Sequence, residues 1–158
     1  MPDHDELDPA LTPGPLILVV ADDLTHRSIV SRMVRTLGFP VRACVNSRAA
    51  LRFVRGHPRE ARLLLADLAL NGMDGGELAE RAKDADPSLQ VVLMAAGEDA
   101  HVDDLLAGYR DLPYLRRPVS FGALAEVLYD LLGMPANALA NPRSIGQTRR
   151  RGSGQRQV

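Results

Sequence analysis

The 158-residue chain has the length of one domain, and its composition of 46% hydrophobic but only 4% aromatic residues predicts an aliphatic core. The formal net charge of -1 gives no overall basis for binding nucleic acid, and the single cysteine, Cys44, excludes an intramolecular disulfide. No apolar run approaches the length of a membrane span, and the acidic N-terminus does not have the form of a secretory signal, so we expect a soluble cytoplasmic protein.

Predicted strands and helices alternate along the central part of the chain. Leu16 to Val20 is a continuous apolar run, which is typical of a strand buried on both faces. The apolar residues from Ile29 to Leu37 recur at helical spacing, and Gly38 ends this helix. Strands are also predicted at 41–45, 63–66, 91–95 and 112–116, and helices at 49–54, 77–84, around 102–106 and at 124–132.

Five strands that alternate with five helices indicate an α/β fold with a parallel sheet covered on both faces. Right-handed crossovers leave few topologies, and the strand order 2-1-3-4-5 is a common one, which gives a flavodoxin-like, doubly wound (βα)5 three-layer sandwich. We assign residues 1–15, which combine prolines with acidic side chains, to a disordered leader. The domain then spans 16–133, and 134–158 form a disordered basic tail with five arginines and no acid.

The expected functional site lies beyond the carboxyl ends of the strands, where open parallel sheets bind ligands at the topological switch point. The first strand leads into Asp22 and Asp23, the third ends at Asp67, and the fifth ends near Arg117. Carboxylates gathered at one point need a cation, and oxygen ligands suit Mg²⁺. A metal beside a cationic side chain can bind a phosphoryl group, and an Asp can form an acyl phosphate. The residues therefore suggest phosphoryl transfer to an aspartate.

Each of these features also has a purely structural interpretation. Asp22 or Asp23 could cap the first helix, and Asp74 with Gly75 could form no more than a turn. Arg117 alone could be a solvated surface charge. The combination of these residues at neighbouring strand ends is what favours a site.

Four stretches of the sequence resemble the response-regulator receiver family of bacterial two-component signalling. They occupy 16–27, 63–78, 91–96 and 114–119 in the family's order. The second stretch, LLLADLALNGMDGGEL, is the most specific, because Asp67 and the Met-Asp-Gly that follows have the family's spacing. The resemblance covers roughly residues 15–133, so it implies that 16–133 form one receiver domain.

The resemblance implies roles for individual residues. Asp67 would accept a phosphoryl group from a phosphohistidine. Asp22 would coordinate Mg²⁺ directly, with Asp67 and the backbone carbonyl of Ala69 as further ligands. Tyr114 matches the aromatic residue whose rotamer usually reports phosphorylation. Apart from self-catalysed phosphoryl transfer, no enzymatic activity is implied.

The resemblance also implies partners. A histidine kinase or a histidine phosphotransfer protein would supply the phosphoryl group, and a downstream protein target would respond. The surface around the predicted fourth helix, fifth strand and last helix is a candidate homodimer interface. Nucleic acid is not an expected partner, because the basic tail has neither aromatic residues nor a fold.

The chain departs from the family's pattern at the site. Where the family has two adjacent acids after the first strand, an ungapped register gives Ala21 and then Asp22, and Asp23 could partly replace the missing charge. A shift by one residue would make Asp22 and Asp23 the pair. The family's lysine before Pro118 is Arg117 here, which keeps the charge but changes the geometry of phosphate binding.

A further departure concerns the switch. The Ser or Thr that ends the fourth strand in the family is Ala95 here, so the hydroxyl that binds the phosphoryl group is missing. Such a contact contributes about 0.5–1.5 kcal/mol, and somewhat more when it is made to a charged group, so its loss should weaken switching more than phosphorylation.

We therefore predict a stand-alone receiver in a phosphorelay, with altered switching, in which Arg117 pairs with the phosphoryl oxygens. The alternative is a pseudo-receiver that acts as an adaptor through protein contacts without phosphorylation. A flavodoxin-like cofactor binder is disfavoured, because the loop from Ala21 to Leu24 is acidic and lacks the glycines of a phosphate-binding loop.

Overall fold

The computed structural model describes residues 14–96, 104, 107–109 and 111–133. The helix predicted around 102–106 falls mainly outside these residues, as do nearly all of the predicted leader and the whole predicted tail. The described residues form five strands and four helices, which are β1 (Leu16–Val20), α1 (Leu24–Thr36), β2 (Val41–Cys44), α2 (Ser47–Gly56), β3 (Ala61–Asp67), α3 (Gly75–Ala85), β4 (Gln90–Ala96), β5 (Tyr114–Arg117) and α4 (Phe121–Leu132).

All strand pairs are parallel, and their order β2-β1-β3-β4-β5 confirms the predicted topology. Val20 pairs with Ala66, so β1 and β3 end side by side in the middle of the sheet. Asp67 pairs with Met94 on the other flank of β3. The end of β3 thus lies between the ends of β1 and β4, at the switch point of the chain's winding.

Each face of the sheet has its own aliphatic core. Leu18 and Leu64 belong to the core covered by α2 and α3, and Ile17 and Leu65 to the core covered by α1 and α4. These four side chains are fully buried, because successive residues of a strand point to opposite faces. Burial on both faces explains why the strands read as continuous apolar runs. Nowhere in the described parts of the chain is a helix both long and apolar enough to cross a bilayer.

Asp86 connects the loops before β3 and β4 at the edge of the sheet opposite the carboxyl ends of the strands. Its carboxylate is buried and accepts hydrogen bonds from the Arg59 backbone N–H at 2.9 Å and from the Ser88 backbone N–H and hydroxyl at 3.1 and 2.7 Å. Arg59 has a φ of 69°, in the left-handed region that non-glycine residues rarely adopt. The hydrogen bond to Asp86 holds that conformation.

We expect Asp86→Ala to destabilise the fold by about 1–3 kcal/mol at neutral pH, because two backbone N–H groups lose their acceptor. The Ser88 hydroxyl and the two backbone hydrogen bonds lower the pKa of Asp86. Its contribution is therefore present above the ordinary Asp pKa of about 3.9 and is lost as the pH falls through the lower folded pKa. Urea unfolding at neutral and acidic pH measures this loss, with the exposed Asp84→Ala on α3 as control. Equal stability of the two variants at neutral pH would contradict it.

Candidate functional site

Asp67 is the last residue of β3, and its carboxylate lies between two cationic or hydrogen-bonding side chains. Its Oδ1 is 3.1 Å from Nε2 of His26, and its Oδ2 is 3.9 Å from Nη1 of Arg117. Asp67 is only 4% exposed. The structure thus brings the predicted phosphoacceptor and the predicted phosphoryl-pairing residue together. The peptide bond between Arg117 and Pro118 is cis.

The surroundings of Asp67 act on its pKa in opposite directions. Burial raises the pKa of Asp67, because the ionised form loses hydration, and this effect is the largest. The charges of His26 and Arg117 and the hydrogen bond from His26 lower the pKa, whereas the negative charge of Asp22 raises it. The net result is a pKa above the ordinary value. Asp22 and Asp67 lie at neighbouring strand ends, since Val20 of β1 pairs with Ala66 of β3.

Asp22 connects the end of β1 to the loop that follows β3. Its Oδ2 accepts a hydrogen bond from the Asn71 backbone N–H at 2.8 Å. Nη1 of Arg27 donates to the backbone carbonyls of Ala21 and Asp22 at 2.7 and 3.3 Å, which fixes the path of the chain after the strand. Arg27 therefore positions the backbone that carries Asp22, a role that was not predicted from the sequence.

Asp23 is the N-cap of α1. Its side chain accepts a hydrogen bond from the His26 backbone N–H at 2.7 Å, so it satisfies a donor in the first helical turn. Of the two capping candidates, Asp23 takes this role. Ala21, which the ungapped register aligns with the family's first acid, is fully buried.

His26 is the site residue that the sequence analysis missed. The cap at Asp23 places His26 in the first turn of α1, and the imidazole there reaches the Asp67 carboxylate. A signal was present, because a helix that starts directly after a strand-end carboxylate directs its first turn toward the same edge of the sheet. The apolar spacing used to predict the helix begins only at Ile29 and gave no weight to this turn.

Two carboxylates are available for a metal ion. Across the ranges that the structure describes, no group of three or more His, Cys, Asp or Glu side chains is arranged to hold a metal. Mg²⁺ is nevertheless commonly bound by one or two carboxylates, with water and phosphate oxygens completing the octahedron. Asp22 and Asp67 fit this pattern. Ala69, the predicted backbone ligand, lies exposed in the loop after β3.

The two predicted switch residues lie in different environments. Ala95, near the end of β4, is buried and offers no hydroxyl. Tyr114, the first residue of β5, is 44% exposed, and the guanidinium of Arg116 lies 5.5 Å from its ring centroid.

The start of α3 packs directly against the end of β3. Asp74 is the N-cap and accepts a hydrogen bond from the Glu77 backbone N–H at 2.8 Å. The Gly75 N–H donates to the Leu68 carbonyl at 2.8 Å, and a Cβ atom on Gly75 would overlap the Asp67 carbonyl oxygen. A Cβ atom on the next residue, Gly76, would overlap a side chain instead, namely the ring of Tyr109. The turn predicted here is therefore also a support for Asp67.

Comparison with known proteins agrees with this arrangement. The sequence pattern of the response regulator receiver domain matches residues 17–128. The transcriptional regulatory protein ZraR of Klebsiella oxytoca is 35% identical over 118 residues, which are 73% of this chain and 26% of that protein. The chain thus spans about a quarter of the length of the curated relatives it matches.

Solved structures show the same fold. A receiver domain protein from Clostridium thermocellum superposes with a TM-score of 0.66 at 20% identity, covering 74% of this chain and 93% of that chain. The co-crystal structure of the Saccharomyces cerevisiae histidine phosphotransfer protein Ypd1 with the receiver domain of Ssk1 gives 0.65 at 18% identity, covering 78% and 92%. Together with the sequence match and the carboxylate at the end of β3, these findings show that the chain belongs to the response regulator receiver domain family of two-component signalling.

Proposed function

We propose that Asp67 accepts a phosphoryl group from a phosphohistidine of a histidine kinase or a histidine phosphotransfer protein. The observation that carries the proposal is the Asp67 carboxylate at the switch point, with Arg117 3.9 Å from one oxygen and Asp22 at the neighbouring strand end. One structure of similar fold joins a receiver domain to a histidine phosphotransfer protein, which supports that class of donor.

Asp67 and Arg117 have different roles in the proposed phosphoryl transfer. An oxygen of Asp67 attacks phosphorus, the phosphorus–nitrogen bond of the donor breaks, and the imidazole of the donor keeps the electron pair. Burial of Asp67 removes water from its carboxylate, so the attacking oxygen sheds little solvent before it reacts. Arg117 is placed beside Asp67 so that its guanidinium can pair with the phosphoryl oxygens.

Asp22, Asp67 and the backbone carbonyl of Ala69 would hold Mg²⁺, which supplies positive charge next to the phosphoryl oxygens when it is bound. Asp23 would add only its charge, because its carboxylate caps α1. The metal site would then have two carboxylates, whereas the family pattern of two acids after the first strand plus the aspartate of the third provides three.

Incubation with a small phosphoramidate donor and Mg²⁺, followed by intact-mass measurement and peptide mapping, tests the proposal. We expect one phosphoryl group, located on Asp67, and removal of Mg²⁺ by a chelator should suppress it. Asp84→Asn, an exposed substitution on α3, should be modified like the wild type. Modification at another residue, or none at saturating Mg²⁺, would refute the assignment.

Altered switching forms part of the proposal. We expect Ala95→Thr to enlarge the chemical-shift changes in β5 and α4 when beryllofluoride binds, because a hydroxyl bound to a charged group contributes about 1.5–3 kcal/mol. Ala96→Thr is the matched control, since Ala96 is the exposed neighbour in the same strand. Equal responses of the two variants would show that the switch does not depend on this position.

The alternative, an adaptor that works without phosphorylation, is favoured by the buried alanines at 21 and 95, where the family has an acid and a hydroxyl. It requires that Asp67→Asn leave binding to the downstream protein unchanged. The stand-alone organisation, the leader and tail boundaries, the cytoplasmic location and the homodimer surface remain predictions from sequence.

A further inference from the structure

The imidazole of His26 is bound to the carboxylate that would hold the metal. Nε2 of His26 is 3.1 Å from Oδ1 of Asp67, and the side chains of the two residues are only 11% and 5% exposed. The backbone N–H of His26 donates a hydrogen bond to the side chain of Asp23, the N-cap of α1. This cap fixes the part of the backbone from which the imidazole extends toward Asp67.

The other carboxylate oxygens of the site are partly committed as well. Oδ2 of Asp67 faces Arg117, and Oδ2 of Asp22 accepts the hydrogen bond from Asn71. An ion held by Asp22 and Asp67 would need lone pairs of the Asp67 carboxylate. Of the two side chains that pair with that carboxylate, the nearer is His26, whose Nε2 is hydrogen-bonded to Oδ1 at 3.1 Å, whereas Arg117 is 3.9 Å from Oδ2.

Mg²⁺ requires near-octahedral geometry with oxygen ligands, so an N–H group cannot remain on the same lone pairs as the ion. A buried carboxylate that already has a hydrogen-bond partner also gains less from a cation than one without a partner. The absence of an acid at Ala21 removes a charge that would otherwise favour the ion over the imidazole.

We propose that His26 competes with Mg²⁺ for Oδ1 of Asp67 and thereby sets the metal concentration at which the site is occupied. His26 then lowers the affinity of the metal site and is not one of its ligands. The inference rests on the proposed function only for the location of that metal site.

The test is the affinity for Mg²⁺ by calorimetry, and for Mn²⁺ by electron paramagnetic resonance, at one fixed pH. His26→Met removes the hydrogen bond but keeps an unbranched, helix-favouring side chain. We expect it to bind both ions about tenfold more tightly or better, as the loss of a hydrogen bond to a charged group implies. His26→Gln retains an N–H donor and should stay near the wild-type affinity.

His57→Met is the matched control and should leave the metal affinity unchanged. His57 follows the end of α2, far from the carboxyl ends of the strands, and its ring stacks on that of Phe53 with 4.4 Å between the ring centroids. Adding Asp67→Asn to His26→Met should abolish the gain, which locates the ion at this carboxylate. Weaker binding by His26→Met would make His26 a ligand, and unchanged binding would make it a bystander. Either result overturns the inference, as does equal binding by the Met and Gln variants.

Phosphorylation of Asp67 is measured separately at saturating Mg²⁺, so that the proposed function and the competition are tested independently. If Asp67 is not modified while His26→Met still binds metal more tightly, the proposed function fails and the competition stands. If Asp67 is modified and the affinities do not differ, the competition alone fails.

Discussion

The Asp67→Asn variant is expected to accept no phosphoryl group and, at neutral pH, to be more stable than the wild type. The amide nitrogen and oxygen of Asn are not nucleophiles comparable to a carboxylate, so the acyl phosphate cannot form. The gain in stability arises because burial raises the pKa of Asp67 despite the opposing effects of His26 and Arg117. The ionised carboxylate thus costs free energy in the folded protein, and the neutral amide of similar shape avoids that cost.

The sign of the pH dependence follows from the raised pKa. The contribution of Asp67 to stability is fully present below the ordinary Asp pKa of about 3.9 and is lost as the pH rises through the folded pKa. The advantage of Asp67→Asn should therefore appear at neutral pH and vanish in acid. Thermal melts at both pH values measure it, and Asp84→Asn serves as the control. A neutral-pH melting temperature at or below that of the wild type would show that the pairs with His26 and Arg117 outweigh burial.

Gly75→Ala is expected to destabilise the fold by about 1–3 kcal/mol or more and to slow phosphorylation of Asp67. A Cβ atom on Gly75 would overlap the Asp67 carbonyl oxygen and lie 2.9 Å from Cα of Leu68. Both obstacles are backbone atoms, one in the last residue of β3 and one in the residue after it, so no side chain can rotate away to relieve the overlap. The strand end or the start of α3 must move.

Gly56→Ala is the matched control for this substitution. Gly56 is the last residue of α2, and a Cβ atom there would have no neighbour within 4 Å. The same change should be neutral or slightly stabilising at this position, because Ala favours the helix and restricts the unfolded chain. Chemical denaturation and the phosphorylation rate are the measurements. Similar effects of the two substitutions would show that the close approach at Gly75 has little energetic weight.

The sheet was predictable from sequence because its strands are buried on both faces and therefore appear as uninterrupted apolar runs. The ends of the elements were less predictable. Val45 was predicted to belong to β2, but the strand ends at Cys44 and Val45 is 55% exposed. Helix α1 begins five residues before the first apolar residue of the predicted helix, because the cap at Asp23 and not a buried side chain fixes its start.

The candidate site was predictable as far as it depends on topology. Parallel strands present their carboxyl ends at one edge, so Asp22, Asp67 and Arg117 could be grouped without coordinates. His26 and Arg27 could be placed near this edge as members of the first turn of α1, but their particular contacts could not be predicted, because those depend on how α1 is rotated about its axis after the cap. Spacing along the sequence does not contain that angle, and the spacing of apolar residues reports only the side of the helix that faces the core.

The two glycines that begin α3 have a mechanical consequence. Gly75 lies against the backbone of Asp67, and Gly76 lies against the ring of Tyr109, in the segment between β4 and β5. Because neither glycine carries a side chain, the two contacts are separated only by the thickness of the main chain. We therefore expect a shift of the Asp67 backbone to displace the aromatic ring directly, because no side-chain rotamer lies between the two contacts.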